Sequence, residues 1–213
     1  MTIILYDINS TLADKIWNPN ASKARLCLNF KGIPFTTEWI EHPNIGHCSQ
    51  KIGPSPTAKK PDGSPLYTVP FNHDTSMGAA IADSILIAEY LEKPYPGIPK
   101  IFPNSTAGLQ STFNDVFLAN LGTLLAVTYH KMMPYLNSAA VAYMAAIVER
   151  VRSKNRTEDW MKLKDDMSKI EGWYIRNGGI GSARSHPGPT SWSRAGSFLK
   201  GMHWERIVRI GKI

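Results

Sequence analysis

Short runs of apolar residues alternate with polar segments along the first half of the chain. A buried strand is predicted over residues 2–7, where four apolar side chains follow one another. A helix is predicted from Pro19 to about Phe30, because proline suits the first helical position and Asn18 can cap it. Residues 35–41 then alternate between apolar and polar side chains, which is typical of a strand.

A second group of elements follows a loop-rich segment at residues 43–66, where proline, glycine, serine and lysine are frequent. Residues 66–73 predict two short strands that meet at Pro70, because proline does not fit the middle of an ordinary central strand. Residues 81–92 have helical spacing. The order β-α-β followed by β-β-α predicts an α/β domain over residues 1–94.

The second half of the chain is predicted to be helical. Prolines are frequent at residues 94–103, which predicts a stiff connector. Beyond it, apolar side chains recur at helical spacing over 109–128 and 141–151, and a third helix begins at the cap residue Thr157. We therefore expect an all-helical domain over residues 104–213, with an atypical tail from about residue 180.

The charge distribution narrows the classes of partner. The net charge is +7, but residues 1–103 carry nine basic and nine acidic side chains, so the excess lies in the second half. It is densest in residues 176–213, a Gly-, Ser- and Pro-rich segment rather than an ordered basic stripe, and we predict no nucleic-acid partner. No apolar run approaches the roughly 18–20 residues of a membrane span, so we predict no membrane partner.

The two cysteines, Cys27 and Cys48, are too few for a disulfide scaffold. The N-terminus lacks the basic region and cleavage site of a signal peptide, so we expect a cytoplasmic protein. Cys27 lies on the apolar face of the first helix and is expected in the core. Cys48 follows His47, with His42 and His73 elsewhere, but this spacing matches no standard zinc pattern, and no metal site is predicted.

The candidate chemistry lies in two short motifs, Val69-Pro70 and Asp83-Ser84. A cis bond before Pro70 would turn the N–H and C=O of Val69 toward a ligand. Asp83 and Ser84 open a helical stretch, where they can meet an ammonium and a carboxylate near the helix N-terminus. Together the motifs predict a site for a peptide-like ligand with an amino-acid head. Alternatively, Asp83-Ser84 is only a helix cap.

The order of these elements resembles that of the cytosolic glutathione transferases over about residues 2–175. Several short motifs are similar to those of the fungal FuA class, which is related to bacterial lignin β-etherases. These motifs are Leu5-Tyr6-Asp7, Lys23-Ala24-Arg25, Leu28–Phe35, Lys59–Gly63 and Tyr67-Thr68-Val69-Pro70.

The resemblance implies a thioredoxin-like N-terminal domain that holds glutathione as co-substrate, followed by an all-α C-terminal domain. Val69 would pair with the backbone of the glutathione cysteine, next to the cis residue Pro70. Asp83 and Ser84 would bind the γ-glutamyl end. A lysine would hold the glycyl carboxylate, and we favour Lys51, with Lys59 and Lys60 as alternatives.

Catalysis requires a thiolate, because a free thiol with a pKa of about 8.5 is mostly protonated at neutral pH. Related enzymes often place a serine seven residues before the arginine of the first helix. Counting back from Arg25 reaches Asn18, whose amide N–H can also donate to sulfur. Asn18 is therefore the catalytic candidate, while its alternative role is a plain helix cap. Weaker substitutes are Ser10, Thr11 and Ser22. Because position 18 is not cysteine, thiol-disulfide chemistry is not expected.

An apolar acceptor is expected between the two domains, where a concave apolar wall meets the thiol. The candidate contacts of this acceptor are four aromatic residues: Trp17, Phe113, Phe117 and Tyr129. Met132 and Met133 are flexible neighbours that could adapt to varied ligands. The alternative for each is ordinary core packing. The resemblance implies conjugation of hydrophobic electrophiles, binding of wood-derived aromatic compounds such as polyphenols, and a homodimer.

Three functions are weighed: a detoxifying transferase, a ligandin-type carrier that keeps glutathione but catalyses slowly, and a regulatory protein that keeps only the scaffold. The glutathione contacts argue against the third.

The tail departs from the family where Arg194 stands in place of a capping acid. We expect a local alteration around residues 180–194 and a missing stretch after Trp204.

Overall fold

The structure, a computed structural model, describes residues 3–97, 99–124, 127, 133–151 and 156–176. The chain divides into two compact units, Met1–Ser111 with Lys131–Arg150, and Thr112–His130 with Val151–Ile213. The predicted domain bounds stay a prediction. The tail from residue 180 onward, where an alteration is expected, lies outside the described residues.

A four-stranded mixed sheet forms the centre of the first unit. Its strands are β1 (Ile3–Ile8), β2 (Phe35–Ile40), β5 (Phe71–Asp74) and β6 (Ala79–Ala82), in the order β2-β1-β5-β6. β1 and β2 are parallel, which requires the crossover between them, whereas β5 is antiparallel to both β1 and β6. The thioredoxin-like fold expected from the sequence is confirmed.

The remaining elements of the first half surround this sheet. Helices α1 (Pro19–Phe30), α2 (Ile45–Ile52) and α3 (Ser84–Glu92) accompany a small hairpin of β3 (Ala58–Lys59) and β4 (Pro65–Leu66). The predicted bounds of α1 are confirmed. The sequence missed α2, and the prediction that residues 81 and 82 begin a helix is wrong, because both pair in β6.

Further along the chain every element in the described residues is helical. The longer helices are α4 (Ala107–Asn120), α5 (Ser138–Val151) and α6 (Arg156–Arg176). Thr157 is the second residue of α6 rather than its cap, so that prediction is wrong by two positions. Within the described part of the chain, no helix combines the length and apolar composition that crossing a membrane requires.

The sheet buries both of its faces. On one face Ile3 and Leu5 of β1 pack with apolar side chains of α1 and α3, including Leu28 and Leu91. The opposite face carries a second cluster: Ile8, Ile40, Ile45, Val69, Phe71 and Ala82. Trp17 packs against this second cluster, so the residue before Asn18 and the residue before Pro70 share one apolar environment.

Arg25 fastens α1 to the sheet. Its guanidinium donates to Asp7 Oδ2 at 3.2 Å and to Thr37 Oγ1 at 2.8 Å. Burial raises the pKa of Asp7 to about 6, although the Ile8 N–H and Arg25 oppose this shift. The contact joins β1 and β2 to the middle of α1.

Asp74, at the end of β5, is a buried hydrogen-bond centre. Its Oδ1 accepts from the Ser76 N–H at 3.0 Å, the Ser76 hydroxyl at 2.6 Å and the Met77 N–H at 3.2 Å. Its Oδ2 accepts from the Tyr90 hydroxyl at 2.8 Å and the Tyr95 hydroxyl at 2.7 Å. One carboxylate therefore joins the β5–β6 turn, α3 and the connector after α3.

The proline-rich connector is fastened by a second group of contacts. Lys31 Nζ, almost fully buried, donates to Glu92 Oε1 at 2.8 Å, and the same oxygen accepts from the Ile101 N–H at 3.1 Å. Residues near the connector are thus held by α1 and α3 together.

Two glycines, one near each end of α2, give a matched prediction. Gly53 caps α2 in the left-handed conformation, with a φ of 99°, whereas Gly46 lies inside the helix. At both positions an added methyl group would meet no atom within 4 Å. Gly53→Ala is expected to lower the free energy of unfolding by about 1 kcal/mol. Gly46→Ala is expected to raise it by up to about 1 kcal/mol. Urea unfolding of both variants checks the opposite signs, and equal effects would contradict this account.

Candidate functional site

Three segments leave the sheet at the same edge. β1 runs to Ile8, next to the start of β5 at Phe71, and Phe71 is paired with Ala82 at the end of β6. The loop after β1 leads to Asn18, Pro70 precedes Phe71, and Asp83 follows Ala82. The register of the sheet therefore brings the Val69-Pro70 and Asp83-Ser84 motifs together, and Trp17, the residue before Asn18, packs against the cluster that contains Val69.

The Val69-Pro70 motif presents an unused backbone edge. The Val69–Pro70 peptide bond is cis, as the sequence suggested. Within the described residues, neither the N–H nor the C=O of Val69 forms a hydrogen bond. The Pro70 C=O accepts from the Asp83 N–H at 3.2 Å, which joins the two motifs directly.

Asp83 is both a helix cap and a carboxylate available to a ligand. Its Oδ1 accepts from the Ile85 N–H at 2.7 Å and the Leu86 N–H at 3.3 Å. Its Oδ2 accepts no hydrogen bond from the described residues, and the side chain is exposed. The residue has a φ of 80°, a conformation that costs a non-glycine residue about 1–3 kcal/mol. Such strain concentrates at ligand-binding positions.

Ser84 follows as the first residue of α3. It is buried, and its hydroxyl forms no hydrogen bond to the rest of the described chain. The free N–H groups of a helix N-terminus and its dipole favour an anion. Asp83 and Ser84 thus place an acceptor for an ammonium beside donors for a carboxylate.

Asn18 is the cap of α1, and its role toward sulfur stays a prediction. It is the N-cap of α1, and its Oδ1 accepts from the Asn20 N–H at 3.0 Å. The side-chain amide Nδ2 makes no hydrogen bond within the described residues, although Asn18 is only 7% exposed. Capping therefore uses the oxygen and leaves the donor nitrogen available.

The lysine candidates lie on two elements. Lys51 is in the last turn of α2, next to Ile52, which packs against the cluster containing Val69. Lys59 is in β3 and Lys60 follows it, and their hairpin is joined to the Val69 loop by the hydrogen bond between the hydroxyls of Thr57 and Thr68. All three lysines are exposed, so the choice of Lys51 stays a prediction.

The aromatic candidates fall into different environments. Trp17 is half-buried in the cluster with Val69, and its Nε1 is buried without a partner among the described residues. Phe113 packs on Phe117 at 6.1 Å and on Trp173 at 5.9 Å between ring centroids, all within the second unit. Tyr129 and Met132 lie outside the described residues. A role in acceptor binding stays a prediction for all four aromatic candidates.

Both cysteines are partly buried side chains that pack against the core clusters. Burial raises the pKa of Cys27 to about 11, which keeps its thiol protonated and inert. Cys48 packs beside the cluster of Val69. Among the described residues, no group of three His, Cys, Asp or Glu side chains could hold a metal ion.

Sequence reasoning missed Glu41, which lies directly after β2. Its two carboxylate oxygens accept from Asn9 and Asn137, and the second of these partners is 96 residues away. The only sequence signal was a glutamate at a strand end, which is too common to single it out.

Comparison with known proteins identifies the family. Residues 17–93 match the family model of the glutathione S-transferase N-terminal domain. The crystal structure of glutathione transferase GSTFuA2 from Phanerochaete chrysosporium is 35% identical, with a TM-score of 0.76 over 84% of this chain and 74% of that chain. The chain belongs to the glutathione transferase family.

Two other relatives support this assignment. The glutathione S-transferase CsGST63524 of Ceriporiopsis subvermispora, crystallised in complex with glutathione, is 34% identical, with a TM-score of 0.71 over 83% of this transferase and 75% of that chain. The glutathione S-transferase-like protein ustS of Aspergillus flavus is 36% identical over 109 residues, which is 48% of this chain and 38% of that relative. The resemblance to fungal transferases is confirmed.

Proposed function

We propose that this transferase conjugates glutathione to hydrophobic or aromatic electrophiles. The observation that carries the proposal is the common sheet edge of Val69, Asp83 and Asn18, each with a polar group that the described residues leave unused. The relative CsGST63524 was crystallised with glutathione, which supports the same ligand here.

Glutathione is held by its peptide backbone and its γ-glutamyl head. The Val69 N–H and C=O pair with the backbone of the cysteinyl residue, as in a short antiparallel strand pair. Asp83 Oδ2 accepts from the γ-glutamyl ammonium, and the Ser84 hydroxyl and the α3 N-terminus donate to its carboxylate. Lys51 binds the glycyl carboxylate.

The reaction depends on the protonation state of the thiol. Asn18 Nδ2 donates to the sulfur, and the N-terminus of α1 adds a favourable dipole, so the thiol loses its proton to solvent more readily. The thiolate then attacks the electrophilic carbon, a C–S bond forms, and the leaving group departs with the electron pair of its broken bond. Trp17 provides an apolar surface next to Asn18.

A second candidate is a ligandin-type carrier that binds glutathione and aromatic compounds such as polyphenols with little turnover. One observation favours it: position 18 holds an amide already engaged as a cap rather than a freely rotating hydroxyl. We further propose detoxification of wood-derived compounds, a homodimeric state and a cytoplasmic location, in line with the fungal relatives.

The proposal is tested by retention on immobilised glutathione together with turnover of 1-chloro-2,4-dinitrobenzene. Retention with turnover supports the transferase, and retention without turnover supports the carrier. Protein that is not retained and shows no turnover contradicts both.

Asp83→Asn separates binding from capping. Asparagine keeps an oxygen for the Ile85 and Leu86 N–H groups but loses the charge, so the stability of α3 is retained. We expect the Kd for glutathione to rise by about 10–100-fold, the value of one charge-assisted hydrogen bond. Calorimetric titration measures the Kd, with Asp62→Asn, an exposed turn aspartate, as control. Equal affinity of the two variants would remove Asp83 from the site.

A further inference from the structure

We infer that Glu41 is a positioning residue for catalysis, because it holds the loop that carries Asn18 in the orientation that leaves Nδ2 free for sulfur. The inference rests on the proposed function. It assigns no contact between Glu41 and substrate.

Both oxygens of Glu41 hold the loop and the start of α5 together. Oε1 accepts from Asn9 Nδ2 at 2.7 Å, and Oε2 accepts from Asn137 Nδ2 at 2.6 Å. Hydrogen bonds to a carboxylate are roughly twice as strong as neutral ones. Glu41 thus joins the first residue of the loop after β1 to a segment that follows far later in the chain.

The orientation of Asn137 is set independently. Its Oδ1 accepts from the Ala140 N–H at 2.9 Å, and its C=O accepts from the Val141 N–H at 2.9 Å, so it caps α5. With the oxygen engaged as a cap, its amide nitrogen faces Glu41. The bridge therefore has one anchored end in α5.

The loop is held at more than one point. The Asn9 N–H donates to the Ile40 C=O at 3.0 Å, and the Thr11 N–H donates to the Tyr135 C=O at 3.0 Å. Beyond Thr11 the Ser10 hydroxyl donates to the Lys15 C=O at 3.1 Å, and the Lys15 ammonium lies 5.9 Å from the ring centroid of Trp39. Loss of the Glu41 bridge removes the side-chain hydrogen bonds that link Asn9, the first residue on this path, to Asn137.

The neighbour of Glu41 supports the far end of the same loop. His42 is buried, and its ring lies between Trp17, at 6.1 Å, and Tyr143 of α5, at 5.9 Å between centroids. Glu41 thus contacts the start of the loop and Asn137, while His42 contacts Trp17 near the end of the loop and Tyr143. A shift of this segment moves Trp17, and with it Asn18.

Small displacements matter at Asn18 because a displacement of about 1 Å at a reacting group can cost about 100-fold in rate. Its Oδ1 is fixed by the cap, so a displaced backbone turns Nδ2 away from the sulfur. Val69 and Asp83 lie on other segments and are held by β5 and β6. Loss of Glu41 is thus expected to impair the chemical step without impairing glutathione binding.

Three variants test the inference. Glu41→Ala removes both hydrogen bonds. Glu41→Gln is the conservative rescue, since its oxygen still accepts from Asn137 and its nitrogen can donate to Asn9 Oδ1 once that amide is flipped. Glu38→Ala, an exposed glutamate on the same strand, is the matched control. Each is assayed with glutathione and 1-chloro-2,4-dinitrobenzene across pH, with hydrogen exchange of residues 9–17 measured in the same samples.

For Glu41→Ala we expect kcat to fall by about tenfold near neutral pH, with the KM for glutathione changed less than about twofold. The apparent pKa of the bound thiol rises by about one unit, and exchange in residues 9–17 becomes faster. Glu41→Gln and Glu38→Ala stay within about twofold of the wild type.

Two results overturn the inference: a Glu41→Ala variant whose thiol pKa and loop exchange equal those of the wild type, or one whose loss of activity lies entirely in the KM for glutathione. Failure of the proposed function is distinguishable, because it appears in the wild type as the absence of glutathione retention and turnover. In that case Glu41 has no role in catalysis either. Whether Glu41 holds the loop is tested separately, because unchanged hydrogen exchange in Glu41→Ala contradicts that part of the inference.

Discussion

Replacing Asp74 by alanine is expected to lower the free energy of unfolding by about 4 kcal/mol, the largest stability effect of any single substitution considered for this transferase. The carboxylate is fully buried and accepts from two backbone N–H groups and three hydroxyls. Without it, the hydroxyls of Tyr90 and Tyr95 and the turn N–H groups lose their partner. Chemical unfolding followed by tryptophan fluorescence measures the loss.

The same contacts predict how stability depends on pH. Burial raises the pKa of Asp74, but the hydrogen bonds from Ser76, Tyr95, Tyr90 and Met77 outweigh it and lower the pKa to about 2. The folded pKa therefore lies below the unfolded value, and the stabilisation is complete above about pH 4 and lost as the pH falls toward 2. About 2 kcal/mol of stabilisation from Asp74 is lost over this fall in pH. An Asp74→Asn variant is expected to lack this part of the acid dependence.

Asp62 supplies a matched control for Asp74. It makes the same pair of turn bonds, from the Ser64 N–H at 2.9 Å and the Ser64 hydroxyl at 2.6 Å, but it is exposed and no tyrosine donates to it. Asp62→Ala is therefore expected to change stability only slightly. Comparable losses in the two variants would show that the turn, rather than the buried tyrosine contacts, carries the effect.

The sequence predicted the elements whose signals are local. Helix α1 begins and ends where Pro19 and Phe30 placed it, because proline at the first position and asparagine at the cap act within a few residues. Asp83-Ser84 was likewise recognised as a pair that opens or caps a helix, although the helical spacing was extended two residues before Asp83, to residue 81. The family followed from the order and spacing of such signals, none of which is specific alone.

The missed features depend on partners that are distant in the chain. Helix α2 lies in a segment rich in helix-breaking residues and is held by packing of Ile45 and Ile52 against the sheet. Strand β6 is mostly alanine, a weak strand former, and exists because it pairs with β5. The positive φ of Asp83 and the Glu41 bridge likewise arise only once the sheet edge brings separate segments together.

Asn18→Asp is expected to lower turnover of 1-chloro-2,4-dinitrobenzene at neutral pH by about 100-fold while leaving the protein as stable as before. Aspartate caps a helix as well as asparagine does, and its charge suits the dipole, so the bond from the Asn20 N–H is retained. The donor to sulfur is lost, and a carboxylate beside the thiolate repels it, which raises the thiol pKa. Thermal unfolding and the pH profile of kcat/KM measure the two effects separately.

Two further variants distinguish a thiolate donor from a plain cap. Asn18→Ala loses both roles, and we expect turnover to fall by about tenfold with a loss of stability of about 1 kcal/mol. Asn18→Ser restores a hydroxyl that can accept from the helix and donate to sulfur, so turnover is expected to equal or exceed that of the wild type. The deficit of Asn18→Asp should shrink as the pH rises, because solvent then ionises the thiol without help from the protein. An Asn18→Asp enzyme with the wild-type pH profile would leave Asn18 as a cap alone and would favour the ligandin-type carrier.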